Sequence, residues 1–378
     1  MAGQHARIAH LDIARAIGIL LVILGHALVL FVTRPLAFSE GAYDAISIIY
    51  AVHMPLFFFL SGLTHRPKPW KTVITASLGL IFLAQLSQIL GVVAREVLGD
   101  GAQDGWPSAV SVVRSLVALD SFSIGVTWFL VALAVVRILA KMVLEGRPAI
   151  RGLALALAAA SLVLSLTSDL RLFQIQAWWA GLAFYLAGAW GAPVFLDRIG
   201  KVGSMAGMLR ITALALISGM VAVIFTRLNG GCVASPFAHC SRETSYGHFY
   251  VRMIIGDYGF LPWFVIGAAI GSVCVLLLSA DLARLLPDRI LKYCGWIGQN
   301  TLTLLLLNGF FLALGNGRFR ELLARGYNPW LPLLLPIIIV CLHLLLLPFF
   351  VPLVQRIEKL ANRVAAWVIG LCWSRYAR

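Results

Sequence analysis

The sequence predicts an all-α membrane protein, a polytopic bundle of about ten transmembrane helices, and three observations lead to this prediction. Hydrophobic residues make up 61% of the 378 residues, and only 12% are charged. The mean hydropathy is +0.92, which is too apolar for a soluble protein of this length. Apolar stretches recur along the whole chain, and a bilayer favours helices because their backbone groups are satisfied within the segment.

Ten apolar stretches are predicted to cross the membrane, since one crossing takes roughly 20 residues. In chain order they are 13–32, 44–63, 72–93, 124–139, 152–166, 175–191, 211–226, 258–278, 297–313 and 329–354. We predict that residues 1–378 form one membrane-embedded domain. The segment 360–371 has the pattern of a short amphipathic helix that lies on the membrane surface.

The distribution of charge predicts the orientation of the chain. The net charge is +14, from 30 Lys and Arg residues and 16 Asp and Glu residues. With a cytoplasmic N-terminus and an even number of spans, about two thirds of the basic residues fall on the cytoplasmic side, and the far side is neutral. This asymmetry is the positive-inside bias, so we predict cytoplasmic N- and C-termini. The basic excess therefore does not indicate nucleic acid.

The six cysteines have no spacing typical of a metal site. Cys232 and Cys240 lie eight residues apart in a polar loop that is predicted to face outward. An oxidising compartment permits a disulfide between them, and the sequence leaves that pairing open.

The first predicted span carries two ionisable residues in the stretch RAIGILLVILGH, from Arg15 to His26. Eleven positions of about 100° each make three turns and about 20°, so both side chains leave the same helix face, roughly 16 Å apart along the axis. Ionisable groups at this depth usually face a cavity on a functional path. We therefore expect both in one water-filled cavity, with Asp12 as the partner of Arg15.

A structural role is the alternative for this stripe. Arg15 then extends to the surface or pairs with Asp12 only, and His26 is a core histidine with satisfied hydrogen bonds. Gly18 and Gly25 flank the stripe and are expected to allow close approach by a neighbouring helix or ligand. Two ionisable residues on one stripe favour the functional interpretation.

At these residues the sequence resembles acyltransferase family 3, the multi-spanning membrane O-acyltransferases. The stretch LDIARAIGILLVILGH matches the family's signature of an arginine, ten residues and a histidine at Arg15 and His26. Further stretches are similar to the family's second helix, fourth helix, outer loop and ninth helix: HMPLFFFLSG, TWFLVAL, LNGG and IGQNTLTLLLLNG. The fourth-helix stretch resembles the fucose 4-O-acetylase-like branch. In one departure, Asn308 stands where the family's ninth helix commonly has a histidine, and asparagine does not titrate near neutrality.

The resemblance implies transfer of an acyl group, usually acetyl, from acetyl-CoA to a hydroxyl of a carbohydrate or glycolipid, without a metal. It implies His26 and Arg15 as catalytic residues. A histidine, with an unperturbed pKa of about 6.5, suits a general base, and an arginine suits anionic or carbonyl parts of the donor. Asp12, His53 and Asn308 are expected to support them. The expected setting is a bacterial inner membrane, with an exopolysaccharide sugar, surface glycan or lipid-linked precursor as acceptor.

His53 lies within a few ångströms of the predicted depth of His26 and is expected to orient the substrate or His26. The alternative for His53 is a buried histidine bonded to a backbone carbonyl beside Pro55.

Candidate binding residues lie in three further places. For the donor we expect Arg66, Lys68 and Lys71 to bind the phosphates; their alternative is the positive charge that cytoplasmic loops ordinarily carry. We expect Trp128 to stack on adenine or a sugar; its alternative is an anchor at the membrane interface. For the acceptor we expect Asn229, Tyr246 and His248, whose alternative is surface exposure without a role.

A transporter or flippase is the main alternative function, with Arg15, His26 and His53 along a substrate or proton path. Against it, the sequence shows no inverted repeat and no acidic residue in mid-span. Two further alternatives are another membrane O-acyltransferase family, built around His26 and Asn308, and a structural membrane subunit. The sequence leaves open the acylated hydroxyl, the acyl group, an acyl-enzyme intermediate and the oligomeric state.

Overall fold

The structure is a computed structural model of the chain. It describes residues 9–29, 31, 40–97, 109–119, 124–168, 170, 172–199, 205–230, 238–239, 249–324 and 330–376.

The described residues form a bundle of twelve α-helices, which confirms the predicted all-α class. In chain order they are α1 (Ala9–Val29), α2 (Glu40–Leu63), α3 (Trp70–Val97), α4 (Ala109–Ala118), α5 (Trp128–Glu145), α6 (Pro148–Thr167), α7 (Trp178–Ala192), α8 (Met205–Gly230), α9 (Leu261–Leu285), α10 (Asp288–Gln299), α11 (Thr301–Ala324) and α12 (Leu331–Tyr376). Two antiparallel strands of two residues each, β1 (Ala238–His239) and β2 (Gly259–Phe260), precede α9.

Nine helical segments among the described residues are long and apolar enough to cross a membrane, and the bent pair α10–α11 is a tenth if it counts as one span. These segments correspond in order to the ten predicted spans. The pair bends by 65° at its break. There Asn300 leaves the helical conformation, and its Nδ2 donates to the Trp296 carbonyl at 2.8 Å. The ninth predicted span, 297–313, was expected to be one helix and is instead broken at this residue.

The last helix differs from the prediction. The predicted span 329–354 and the predicted surface helix 360–371 belong to one continuous helix of 46 residues, α12. At about 1.5 Å per residue it is roughly 69 Å long, more than twice the ~30 Å hydrocarbon core of a bilayer. Beyond the predicted span, Ala361 and Ala365 are buried, and Asn362 lies against Gly79 of α3. The prediction of a separate surface helix is therefore wrong, because this segment packs on α3.

Two ends of the bundle are distinguished by their contacts. Helices α1 and α2 run antiparallel, since Gly18 lies against Phe57 and Gly25 against Tyr50, as expected for glycines at a close helix contact. Helix α5 ends beside the α2–α3 connection, where His65 Nε2 is 3.5 Å from a Glu145 carboxylate oxygen. We call the end at which α1 begins and α2 and α5 end the His65 side.

The opposite end carries a folded segment, residues 249–260, and we call it the Tyr250 side. The guanidinium of Arg252 donates from Nε and Nη2 to one oxygen of the fully buried Asp257, at 3.1 and 2.6 Å. Asn229, at the end of α8, holds the segment through two backbone hydrogen bonds, to the Tyr258 carbonyl (2.9 Å) and from the Phe260 amide (2.7 Å). These bonds fix the segment that closes this end of the bundle.

The centre of the bundle is formed by α1, α2 and α5, which have the largest buried share of all the spans. By contrast, α8 and α12 expose large apolar side chains such as Met220 and Phe349. Because an aqueous surface does not favour such exposure, these faces fit contact with lipid. The chain is thus a multi-pass membrane protein with polar groups concentrated in its interior.

The contact between α2 and α7 depends on two glycines. A Cβ on Gly62 would collide with the Tyr185 carbonyl oxygen, and a Cβ on Gly188 would collide with the Phe59 carbonyl oxygen. Because both obstacles are backbone atoms, a rotamer change cannot relieve them. The two backbones therefore approach each other only because both positions lack a side chain.

We expect Gly62→Ala to destabilise the protein by about 1–3 kcal/mol or more, because the extra methyl group forces α2 and α7 apart. The matched control is Gly152→Ala in α6, where a Cβ meets no atom within 4 Å and helix propensity improves. Thermal unfolding of both purified variants in detergent measures the difference. Equal melting temperatures for the two variants would contradict the proposed contact.

Candidate active site

A cavity of about 310 Å³ lies within the bundle and extends from the His65 side towards its middle. Its polar and charged lining residues lie on α1, α2, α5, α11 and α12 and, for Thr64, directly after α2: Arg15, Ser61, Thr64, Arg137, Thr301 and Glu358. The remaining lining is apolar, and Val22 and Met54 are among the residues at its inner end. A cavity with a few charged groups in an apolar wall is the usual form of a small-molecule site.

Arg15 lines this cavity and is held by the expected ion pair. Its Nη1 donates to Asp12 Oδ1 at 3.0 Å, and Asp12 is 6% exposed. Gln299 Nε2 lies 3.5 Å from the other Asp12 oxygen. The break between α10 and α11 fits closely here, because a Cβ on Gly298 would collide with the Asp12 carbonyl oxygen. The bent pair therefore helps to hold the Asp12 carboxylate and, through it, the Arg15 guanidinium.

His26 points into the bundle and binds Asn308 of α11. The distance between His26 Nδ1 and Asn308 Oδ1 is 2.6 Å, and Asn308 is 1% exposed. The Tyr50 ring packs edge-on to the imidazole, with the two ring centroids 6.0 Å apart. Asn308 is thus in direct contact with His26, and its supporting role in catalysis stays a prediction.

His343 of α12 extends this contact into a chain of three side chains. A carbonyl oxygen only accepts, so the 2.7 Å contact from His343 Nδ1 to the Ile339 carbonyl identifies Nδ1 as the protonated nitrogen. His343 Nε2 is then an acceptor, with Asn308 Nδ2 as its donor at 3.5 Å. This arrangement turns Asn308 Oδ1 towards His26, so His26 Nδ1 donates. The lone pair of neutral His26 is consequently on Nε2.

The expectation that Arg15 and His26 line one cavity is correct for Arg15 only. Among the described lining residues, Val22 is the α1 member that lies farthest along the helix, and His26 follows it by one turn. The Cα atom of His26 therefore lies about 6 Å beyond the Cα atom of Val22 along the helix axis. Arg15 lines the cavity, whereas His26 lies beyond it and is bonded to Asn308.

His53 is 3% exposed, and its Nδ1 donates to the Ile49 carbonyl at 2.6 Å. This is the structural alternative foreseen for His53. Its ring also packs edge-on to Tyr50, with the centroids 4.9 Å apart, so Tyr50 contacts both His53 and His26. The role of His53 in orienting the substrate or His26 stays a prediction.

Aromatic contacts continue from Tyr50 to the Tyr250 side. Tyr250 packs edge-on to Tyr50 with 5.2 Å between the centroids, and the Arg252 guanidinium lies 5.7 Å from the centre of the Tyr250 ring. Burial raises the pKa of Tyr250, and the partial opposing effect of Arg252 does not reverse this. The Tyr250 hydroxyl is therefore protonated at neutral pH and can donate a hydrogen bond.

The predicted donor-binding residues do not form one site. Arg66, Lys68 and Lys71 are exposed near the α2–α3 connection on the His65 side, outside the cavity lining. Trp128 is 7% exposed and begins α5, directly after a segment that Gln88 of α3 binds through the Ile124 amide at 2.8 Å. Lys71 and Gln88 are separated by about 26 Å along α3. Trp128 therefore lies far from these cations, and its stacking on adenine or a sugar stays a prediction.

Of the predicted acceptor residues, the structure describes Asn229. Asn229 is 3% exposed, and its amide serves the two backbone bonds that hold residues 249–260. These two bonds give Asn229 a structural role, and its contact with the acceptor stays a prediction. Tyr246 and His248 lie outside the described residues, as do Cys232 and Cys240.

Three polar residues of the interior were missed by sequence reasoning: His343, Arg137 and Glu358. His343 had the same signal as His26, a single imidazole in the apolar run CLHLLLLP. Arg137 lies two residues before the end of the predicted span 124–139, whereas α5 continues for eight residues beyond Arg137. Glu358 lies beyond the predicted end of the last span, and only the continuation of α12 brings it to the cavity.

The fold and the site define a multi-pass membrane protein with an arginine-lined cavity and a histidine–asparagine–histidine chain in its interior. A family model described as an acyltransferase domain matches residues 8–372, so the chain belongs to acyltransferase family 3 and is a membrane acyltransferase. Searches of curated proteins and of solved structures return no match. The fucose 4-O-acetylase-like branch stays a prediction.

The three-residue chain is testable by a double-mutant cycle with His343→Phe and Asn308→Leu. We expect each single change to cost about 1–3 kcal/mol, because it leaves a buried partner without its hydrogen bond. The double variant should cost less than the sum, since the shared bond is lost only once. Unfolding free energies in detergent measure this coupling.

The control cycle combines Asn308→Leu with Ser87→Ala, which removes a separate buried hydrogen bond to the Leu83 carbonyl. Additive costs are expected for the control because the two sites share no partner. Additivity in the His343 cycle as well would show that the two residues are not bonded.

Proposed function

We propose that this acyltransferase moves an acyl group, acetyl in the simplest case, from acyl-coenzyme A to a carbohydrate hydroxyl, with His26 as general base. The observation that carries the proposal is the bond from His26 Nδ1 to Asn308, which leaves Nε2 as the basic nitrogen. A sugar hydroxyl is a weak nucleophile and needs such a base when it attacks a thioester. The family supplies acyl transfer in general, and this geometry supports a base-assisted route.

The proposed reaction has two proton transfers. The acceptor oxygen attacks the thioester carbonyl carbon while its proton passes to His26 Nε2. The carbon–sulfur bond then breaks, and the proton returns from His26 to the departing sulfur, which yields an ester and a free thiol. Asn308 Oδ1 accepts from Nδ1 throughout and stabilises the charged imidazolium between the two steps.

The two sides of the bundle suit different substrates. The cavity on the His65 side has arginines near its mouth and an apolar inner wall, which suits an anionic donor with an extended arm. The Tyr250 side presents tyrosines next to His26, and such rings provide an apolar face with a hydroxyl at the edge. Donor and acceptor would therefore reach His26 from opposite sides.

In this proposal the His65 side faces the cytoplasm of a bacterium, where coenzyme A is made, and the protein lies in the inner membrane. Both termini are then cytoplasmic, in agreement with the positive-inside bias. The acceptor is a sugar of an exopolysaccharide, a surface glycan or a lipid-linked precursor. The proposal includes no metal.

Replacing His26 with alanine should lower kcat at least about 100-fold, because general base catalysis contributes roughly 10²–10⁴-fold. The measurement is release of thiol from acetyl-coenzyme A by the purified protein in the presence of a glycan acceptor. His65→Ala is the matched control, since it removes a histidine on the other side of the cavity, and its activity should stay near normal.

Two results would contradict the proposal. Near-normal activity of the His26 variant would reject the base. Uptake of a glycan or lipid into vesicles without consumption of thioester would favour the transporter alternative. Far-UV circular dichroism and melting temperature must match for the variant and the control, so that a loss of fold is not read as a loss of chemistry.

A further inference from the structure

We propose that Arg137 is the anchor for the diphosphate of the coenzyme A donor. This assignment rests on the proposed function and adds to it a named binding contact. Arg137 is not among the donor-binding residues predicted from the sequence, and the exposed cations that were predicted lie outside the cavity lining.

The position of Arg137 is unusual for an arginine in a membrane-spanning helix. It lies eight residues before Glu145, the last residue of α5, or about 12 Å inside the helix end. Its side chain lines the cavity. Arg15, on α1, lines the same cavity. The two guanidinium groups thus border the same space.

The two arginines differ in their partners. Arg15 is neutralised by Asp12. Across the described part of the chain, Arg137 makes no hydrogen bond and no ion pair, and Glu358, which also lines the cavity, forms no ion pair with it. Arg137 interacts electrostatically with the Tyr185 hydroxyl, which is uncharged at neutral pH and so does not neutralise it. An unpaired charge at this depth costs free energy, and such residues usually face a ligand path. Arg137 therefore has an open requirement for an anion.

The shape of the cavity indicates which anion fits. A guanidinium binds phosphate oxygens with two parallel hydrogen bonds, a geometry that lysine lacks. Ser61, Thr64 and Thr301 add hydroxyl groups to the same lining. Beyond the arginines the wall is apolar at Ile19 and Val22, and it leads towards His26.

In coenzyme A the diphosphate joins the nucleotide to the pantetheine arm, and the arm ends in the reactive sulfur. The roughly 16 Å from Arg15 to His26 must be covered by this arm if His26 is to reach the thioester. A diphosphate at the depth of Arg15 and Arg137 leaves the nucleotide towards the His65 side and directs the arm along the apolar wall. The 3′-phosphate of the nucleotide is not required at Arg137.

The test uses full-length protein in detergent and two variants, Arg137→Gln and Arg137→Lys. With acetyl-coenzyme A, Arg137→Gln should raise KM about 10- to 100-fold with little change in kcat. Arg137→Lys should raise KM less, because the charge is kept and the two-bond geometry is lost. The lysine variant also serves as the informative protein if the glutamine variant fails to fold.

Truncated donors identify the phosphate that Arg137 contacts. The effect on KM should persist with acetyl-dephospho-coenzyme A, which lacks only the 3′-phosphate. It should vanish with acetyl-pantetheine, which has no phosphate. Equal effects on acetyl-coenzyme A and acetyl-pantetheine would overturn the proposal, and so would an unchanged KM in both variants. Arg151→Gln, which removes an exposed cation bonded to the Gly146 carbonyl, is the control and should leave all KM values unchanged.

Binding of free coenzyme A separates this proposal from the proposed function. Calorimetric titration should show about 10- to 100-fold weaker binding to Arg137→Gln than to the unaltered protein. If the unaltered protein binds coenzyme A about 10- to 100-fold more tightly than Arg137→Gln does but turns over no thioester with any glycan, the proposed acceptor chemistry fails while the Arg137 contact is upheld. If both proteins bind coenzyme A equally, the Arg137 contact is rejected whatever the activity.

Discussion

The hydrogen bond between His26 and Asn308 is the interaction on which the site depends. It joins α1 to α11 within the bundle, and His343 joins α12 to the same amide. In the membrane interior a polar group without a partner is costly, so each member of this chain needs the next. The chain therefore positions helices that are distant in sequence, and it also determines which imidazole nitrogen of His26 is basic.

A second constraint is the distance between the arginines of the cavity and His26. Arg15 and Arg137 line the cavity that extends from the His65 side. His26 lies farther along α1, beyond the apolar lining residues Ile19 and Val22. For the proposed reaction an apolar passage is favourable, because a site with little water strengthens electrostatic interactions and protects a thioester from hydrolysis. The distance from Arg15 to His26 thus fits a donor that is anionic at one end and reactive at the other.

Composition and hydropathy were sufficient to predict the helix bundle, and the ten predicted spans correspond to the observed ones. The break at Asn300 and the unbroken course of α12 were not predictable, because both depend on packing against α1 and α3. In the site, helical spacing predicted the stripe of Arg15 and His26. It could not show that Arg137 and His343 face the same interior, since the relative rotation of different helices is set by tertiary contacts. The burial of Trp128 and Asn229 was not predictable either, because polar or aromatic character does not show whether a side chain is buried.

A structure of the protein with bound coenzyme A, determined by electron cryomicroscopy at side-chain resolution, tests the central claim most directly. We predict that the thiol sulfur lies within about 4 Å of His26 Nε2. We also predict that His26 Nδ1 is still bonded to Asn308 and that the nucleotide lies towards the His65 side. An imidazole turned towards lipid, or coenzyme A bound outside the cavity, would contradict the account.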